Sequence, residues 1–112
     1  MQERARGLMI KKIKVTFDVD GTLIYQSGEK EYLPKQKIID LFKALEAVGC
    51  EMYIWSGHGV DYAKEWSKKL GLQAKVVEKG SFTPDLAIDD LDEDFRKIEK
   101  SLGIVNIQVD GE

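Results

Sequence analysis

The sequence has few of the features that cross-link a chain by disulfides or anchor it in a membrane. One cysteine, Cys50, excludes an internal disulfide framework and fits a reducing cytoplasm. No apolar run approaches the ~20 residues that span a bilayer, and residues 1–7 are not followed by the apolar stretch of a secretory signal. A net charge of −3 gives no electrostatic footprint for nucleic acid or an anionic membrane. We therefore expect a cytoplasmic protein without a membrane partner or a strong nucleic-acid signal.

Length and composition indicate a single domain. The chain has 112 residues, 43% of them hydrophobic and 33% charged, as is typical of a globular protein. No repeat, linker or low-complexity stretch divides it. We expect one domain over residues 1–112, with residues 1–8 as a flexible tail.

Apolar segments alternate with segments of helical periodicity. The predicted strands are residues 13–17, 52–55, 74–77, 84–88 and 104–109. Helices are predicted between Pro34 and Gly49, over residues 60–70, and around Phe95, Ile98 and Leu102. The alternation favours an α/β fold, a Rossmann-like three-layer α/β/α domain with a central parallel sheet of about five strands.

Side-chain spacing and turn residues complete the predicted fold. Trp55 and Trp66 fall on apolar periods and are expected in the core, and the first helix should bury Ile38, Leu41, Phe42, Leu45 and Val48. A small flap hairpin is predicted from residues 23–26 and 31–33 around a glycine-containing turn.

Two aspartates, Asp18 and Asp20, follow the first predicted strand and precede a Gly-Thr turn. Successive strand side chains point to opposite faces, so residues two apart fall on the same side if strand geometry persists. Two such carboxylates can hold a divalent cation and divide nucleophilic and acid/base work between them. The pair predicts an enzyme.

Two more predicted strands also end in polar side chains. Ser56 follows the second strand, and Asp89 and Asp90 end the fourth. Ligands bind outside the carboxyl ends of parallel strands, and right-handed crossovers keep those ends on one edge. We therefore expect these groups to converge with the aspartate pair.

These residues resemble the motifs of the haloacid dehalogenase-like (HAD) superfamily. Residues 17–23 read FDVDGTL and match the family's first motif, an apolar strand followed by Asp-x-Asp-Gly-Thr. Ser56 is similar to the second motif, and residues 88–90, with Asp94, are similar to the fourth. For the third motif, a lysine or arginine, the candidate is Lys79. The resemblance covers residues 13 to about 102.

The resemblance implies a magnesium-dependent phosphatase. In the family's chemistry Asp18 attacks phosphorus and forms an aspartyl-phosphate, and Asp20 acts as the general acid and base. Mg²⁺ would be held by Asp18, the Asp20 backbone carbonyl, and Asp89 or Asp90.

The remaining implied roles concern the phosphoryl group. Ser56, Gly57 and Lys79 would bind its oxygens. His58, in the same loop as Ser56, is either a substrate contact or an exposed loop histidine.

The spacing also leaves no room for a cap domain. Between Asp20 and Ser56 the chain holds only the hairpin and one helix, so it resembles the capless branch of the family. An open site needs a large phosphorylated substrate to close it, or a neighbouring subunit as a cap in a homo-oligomer. Tyr25 and Tyr32 on the hairpin are candidate substrate contacts.

Each motif residue also has a purely structural interpretation. Ser56 could be a turn residue, while Asp89 and Asp90 could cap the following helix. Asp94 could be a first-turn helix residue. Lys79 could be a solvated loop lysine; the alternatives for the third motif are Lys64, Lys68 and Lys69, on a predicted helix.

Two other functions remain open from the sequence. A receiver-type phospho-acceptor module has a similar size, sheet and acidic pocket, but its acceptor aspartate follows a later strand. A catalytically silent binding protein on the same scaffold is the other alternative.

Overall fold

The computed structural model describes residues 12–90 and 105–108. The strands are β1 Lys14–Asp18, β2 Glu51–Trp55, β3 Lys75–Val76, β4 Leu86–Asp89 and β5 Val105–Gln108; the helices are α1 Gln36–Ala47 and α2 Val60–Lys69. These elements lie where the sequence predicts them, with ends shifted by one or two residues. The predicted tail, the last predicted helix and Asp94 lie outside the described residues.

The sheet runs in the order β3-β2-β1-β4-β5, and each neighbouring pair of strands is parallel. This confirms the predicted α/β class with a parallel sheet. The chain moves outward from β1 to β2 and β3, then returns to place β4 on the other side of β1. Such a reversal leaves a crevice beyond the carboxyl ends of β1 and β4, where open α/β sheets bind their ligands.

Both described helices pack into one hydrophobic cluster. Alternate strand residues supply the sheet side of this cluster: Val15, Phe17, Met52, Ile54 and Ile88. Ile39 and Phe42 of α1 and Ala63 of α2 are buried in it, and the rings of Phe17 and Phe42 meet edge to face at 5.2 Å. Burial of each large apolar side chain stabilises the fold by about 1.5–3 kcal/mol.

The remaining strand residues face a second, aromatic cluster. Trp55 and Ala87 are fully buried there, with Val77 and Phe82 packed against them. The Phe82 ring lies 4.6 Å from the ring of Tyr53 and 5.9 Å from that of Trp55. These contacts fix the segment between β3 and β4 beside the sheet, near the ends of β1 and β4.

The predicted core positions are partly correct. Trp55 is fully buried as expected, but Trp66 is only half-buried at the edge of the first cluster. The prediction that Val48 faces inward is wrong, since its side chain is 77% exposed. Val48 is the C-cap of α1 and lies past its last turn; Ile39, one turn before Phe42, is buried on that face instead.

The segment between β1 and α1 differs from its prediction. Residues 23–33 contain no regular strand, and the pairing in this segment is limited to an isolated antiparallel bridge between Ile24 and Pro34. Tyr25 and Leu33 are joined by a backbone hydrogen bond of 2.9 Å, and Tyr32 donates one of 2.8 Å to Tyr25. Tyr32 has a φ of +70°, in the left-handed region, which interrupts the extended backbone that a strand requires.

The described part of the chain contains no helix with the length and apolar character needed to traverse a bilayer.

Candidate functional site

Three carboxylates meet at the carboxyl ends of β1 and β4. Phe17 pairs with Ile88 across the two strands, so Asp18 and Asp89, the next and last residues of β1 and β4, lie side by side. One ligand oxygen from each of Asp18, Asp89 and Asp90 lies within 4.8 Å of the others. Asp18 is 5% exposed and Asp89 is fully buried. Clustered carboxylate oxygens are the donor set that hard divalent cations prefer, so these residues fit a metal.

Lys79 reaches the same carboxylates from the segment anchored by Phe82. Its Nζ lies 3.5 Å from Asp18 Oδ1 and 3.2 Å from Asp89 Oδ2, and the side chain is 12% exposed. The three helix lysines that competed with it, Lys64, Lys68 and Lys69, are exposed on α2. Among the four lysines considered for the third motif, Lys79 is the one that lies beside the aspartates.

The electrostatics of this cluster raise the pKa of Asp18 well above its ordinary value. Burial is the largest cause, and the nearby charge of Asp89 adds to it, while Lys79 acts in the opposite direction. The ionised form of Asp18 is therefore costly in the protein alone. A cation at this position would offset that cost.

This shift predicts how the stability of metal-free protein depends on pH. Because the folded pKa of Asp18 lies above the unfolded value of 3.8, ionisation costs folding free energy. The cost is absent below that value and grows as pH rises through the folded pKa. Asp18→Asn should therefore raise the unfolding free energy of the metal-free protein at neutral pH, because the amide carries no charge that burial penalises.

Urea denaturation in a chelator, repeated from acidic to neutral pH, measures this effect. The difference between Asp18→Asn and the unaltered protein should shrink as the pH approaches the unfolded pKa of aspartate. A variant less stable at neutral pH would contradict the electrostatics described.

Asp20 lies apart from the three-carboxylate cluster and has different partners. Tyr62, in the first turn of α2, donates its hydroxyl to Asp20 Oδ1 at 2.7 Å. His58 Nε2 lies 3.1 Å from Asp20 Oδ2, and the histidine side chain is 67% exposed. Burial and the hydrogen bond to Asp20 raise the pKa of Tyr62 to about 12, so the phenol stays neutral and remains a donor at physiological pH. The two aspartates of the motif thus have separate surroundings.

Ser56 and Gly57 form the turn that follows β2. Ser56 is buried, with 3% of its surface exposed, and its Oγ accepts a hydrogen bond of 3.0 Å from the backbone N–H of His58. A hydroxyl that accepts one hydrogen bond can still donate its own hydrogen. Ser56 can therefore both shape the turn and donate to an anion in the crevice.

These side chains surround a cavity of 360 Å³. Its lining combines the predicted site residues with two further side chains: Asp18, Asp20, Gln26, Ser56, Gly57, His58, Lys79 and Asp90. Asp89 does not line the cavity, because it is buried beneath it against Lys79. The structure thus brings most of the predicted site residues within 12–90 to one crevice, with the carboxylate of Asp20 outside the cluster that could bind a metal. Tyr25 and Tyr32, predicted as candidate substrate contacts, do not line this cavity.

Gly21 allows the turn after Asp20 to approach the acidic cluster. Its φ is +79°, and a Cβ there would collide with Asp90 Oδ2 and lie 2.9 Å from Asp90 Cγ. Only glycine combines this backbone conformation with so close an approach. Close packing against Asp90 therefore explains why the motif has glycine at this position.

The sequence did not point to three residues that the structure places near the site. Lys35 is buried, 6% exposed, and its Nζ donates to the Gly21 carbonyl at 2.9 Å, which ties α1 to the turn. Tyr62 lies on a helix whose periodicity indicated only packing, and Gln26 lies in a loop with no motif. The position of Tyr62, one helical turn after the loop that contains His58, was the one sequence feature that could have indicated its place beside the site.

No protein-family model matches the chain, and a search of curated proteins finds no significant match. The family resemblance therefore stays a prediction carried by the motif residues.

Proposed function

We propose that the protein is a magnesium-dependent phosphatase of the HAD-like superfamily that hydrolyses a phosphate monoester through an aspartyl-phosphate on Asp18. The observation that carries this proposal is the meeting of Asp18, Asp89 and Asp90 beside Lys79 at the sheet's reversal point. A nucleophile, a cation-binding set and a fixed positive charge then share one crevice. Phosphoryl transfer requires this combination because both the nucleophile and the substrate are anions.

The proposed reaction has two displacements. In the first, an Asp18 carboxylate oxygen attacks phosphorus while the bond to the leaving oxygen breaks. The electron pair stays on that oxygen, which takes a proton from the carboxyl group of Asp20. In the second, water attacks the aspartyl-phosphate, gives a proton to Asp20, and the bond between phosphorus and Asp18 breaks. Inorganic phosphate leaves and both aspartates return to their starting states.

Residues around the cavity support these displacements. Lys79 holds positive charge beside the nucleophile, while Ser56 and the Gly57 backbone can bind phosphoryl oxygens. Asp18, Asp89, Asp90 and the Asp20 backbone carbonyl would hold Mg²⁺. Bound there, Mg²⁺ would supply charge neutralisation between carboxylate and phosphate.

The rest of the predicted architecture belongs to this proposal. We propose that residues 1–112 form one three-layer α/β/α domain with a sheet of about five strands and a flap, but no cap domain. The phosphorylated substrate then closes the open crevice with its own bulk, or a second subunit of a homo-oligomer covers it.

The test is hydrolysis of p-nitrophenyl phosphate with Mg²⁺ and, separately, with a chelator. We expect turnover that depends on Mg²⁺. No turnover with Mg²⁺ would contradict the proposal, and a durable phosphoryl group on the protein without turnover would favour the phospho-acceptor module instead.

A further inference from the structure

Both carboxylate oxygens of Asp20 are engaged by ring-bearing side chains. The Tyr62 hydroxyl donates to Oδ1 at 2.7 Å, and His58 Nε2 lies 3.1 Å from Oδ2. The rings of His58 and Tyr62 are themselves in contact, with centroids 4.9 Å apart. We call these two residues the Asp20 clamp. A carboxylate held at both oxygens keeps one orientation, because rotation about its terminal bond would break both contacts.

The local chain fixes the clamp in place. The His58 backbone N–H is bound by Ser56 Oγ, and the carbonyl of Gly59 accepts the first α-helical bond, from Ala63 at 3.1 Å. Tyr62 is half-buried against the first hydrophobic cluster. The clamp residues therefore start from a rigid turn and helix, which is the preorganisation that a reacting group needs.

The surroundings of Asp20 contrast with those of Asp18. Asp18 faces two carboxylates and a lysine, whereas the Asp20 carboxylate lies outside the set that could share a cation. A phenol hydroxyl and an imidazole nitrogen contact the Asp20 carboxylate, whereas carboxylates and a lysine face Asp18. This arrangement reserves Asp20 for proton transfer, because a carboxylate that coordinated the cation could not readily carry a proton.

We propose that His58 and Tyr62 are positioning residues that aim the Asp20 carboxyl at the leaving oxygen and stabilise its negative charge once the proton has left. This inference rests on the proposed phosphatase function. As the bond from phosphorus to the leaving oxygen breaks, the proton moves from Asp20 to that oxygen and the carboxylate becomes negative. The Tyr62 hydroxyl then strengthens its hydrogen bond to the carboxylate, since hydrogen bonds to an ionised acceptor are stronger than those to a neutral one, and the His58 ring nitrogen, 3.1 Å from Oδ2, faces the developing charge.

The clamp should therefore determine which leaving groups the enzyme can expel. An alcohol is a poor leaving group that must be protonated as it departs, so an alkyl phosphate depends on a well-aimed acid. The p-nitrophenolate anion leaves without a proton. A positioning defect should slow the first substrate much more than the second.

The experiment compares kcat/KM for an alkyl phosphate monoester and for p-nitrophenyl phosphate in Mg²⁺. This parameter reports steps through departure of the leaving group and is insensitive to later hydrolysis of the aspartyl-phosphate. Tyr62→Phe and His58→Ala should lower it for the alkyl ester by about 10–100-fold, a part of the 10²–10⁴-fold typical of general acid catalysis. The loss for the aryl ester should be about 3-fold or less, and His58→Gln, which keeps a donor, should recover part of the alkyl activity.

Tyr53→Phe is the matched control. It also removes a tyrosine hydroxyl that donates to a carboxylate, that of Glu51 at 2.9 Å, but neither residue lines the cavity. It should leave the ratio of alkyl to aryl activity unchanged. His58 is mostly exposed, so its variants test the proposal even if Tyr62→Phe fails to fold.

Equal losses on the two esters, or no loss on either, would overturn the clamp and leave the phosphatase proposal intact. Absence of Mg²⁺-dependent turnover in the unaltered protein would overturn both. A selective loss on the alkyl ester, restored in part by His58→Gln, is the result that the clamp predicts.

Discussion

Asp18→Asn is expected to lower kcat with p-nitrophenyl phosphate by about 10⁴-fold or more, in line with the loss of an enzyme's nucleophile. The amide keeps the shape of the carboxylate but lacks the charged oxygen that attacks phosphorus. The same substitution should stabilise metal-free protein at neutral pH, because Asp18 is buried beside Asp89. Lost activity together with increased stability would separate a chemical defect from unfolding.

Asp40→Asn provides the matched control for this result. Asp40 is an exposed residue on α1 whose Oδ1 accepts a hydrogen bond of 2.9 Å from Gln36. The control should retain the kcat of the unaltered protein. An Asp18→Asn variant with activity within tenfold of the unaltered protein would contradict the role given to Asp18.

Lys79→Met is expected to destabilise metal-free protein by about 3–5 kcal/mol, the usual cost of removing one partner from a buried ion pair. Lys79 lies between Asp18 and Asp89, and its loss leaves their negative charges facing each other without this cation. Methionine preserves most of the side-chain volume, so the change is chiefly one of charge. Urea denaturation in a chelator measures the effect.

A second substitution and added metal sharpen this test. Lys79→Met combined with Asp18→Asn should recover part of the lost stability, because one of the opposed charges is gone. Mg²⁺ should stabilise Lys79→Met more than the unaltered protein, since a bound cation replaces the missing positive charge.

Lys75→Met is the control for the loss of a lysine. Its Nζ lies 2.7 Å from Glu51 Oε2, but the lysine side chain is 68% exposed, so the pair is screened by solvent. Its removal should change stability far less. A Lys79→Met variant as stable as Lys75→Met without metal would contradict the electrostatic role of Lys79.

The strand ends could be predicted from sequence because short-range patterns determine them. The apolar run before Asp18 and Asp20 predicts a strand, and the Gly-Thr pair after them predicts a turn. Because strands and helices alternate along the chain, the sheet is parallel, and Ser56 and Asp89 lie at the same edge of it. The alternation also correctly predicted the parallel sheet. The position of Lys79 was harder to predict, because a loop residue has no periodicity that places its side chain. Its segment is fixed by Phe82, whose ring packs against Tyr53 and Trp55.

The failures have equally specific causes. Helical spacing continued to Val48, but the helix ends at Ala47 and its cap residue is exposed. The hairpin prediction relied on a glycine-containing turn, but in place of two strands the segment has an isolated antiparallel bridge between Ile24 and Pro34, and Tyr32 adopts a left-handed φ that strand propensity does not reveal. The partnership of Tyr62 with Asp20 joins residues 42 positions apart, a separation that local patterns do not encode.

The most direct test of the phosphatase mechanism is identification of the phosphorylated residue during turnover. The reaction with p-nitrophenyl phosphate and Mg²⁺ is quenched in acid and reduced with borohydride, which converts an aspartyl-phosphate to homoserine, and peptides are then sequenced by mass spectrometry. We expect homoserine at position 18 in the unaltered protein and none at position 20. Phosphate release without homoserine at position 18, or with the product at another aspartate, would contradict it.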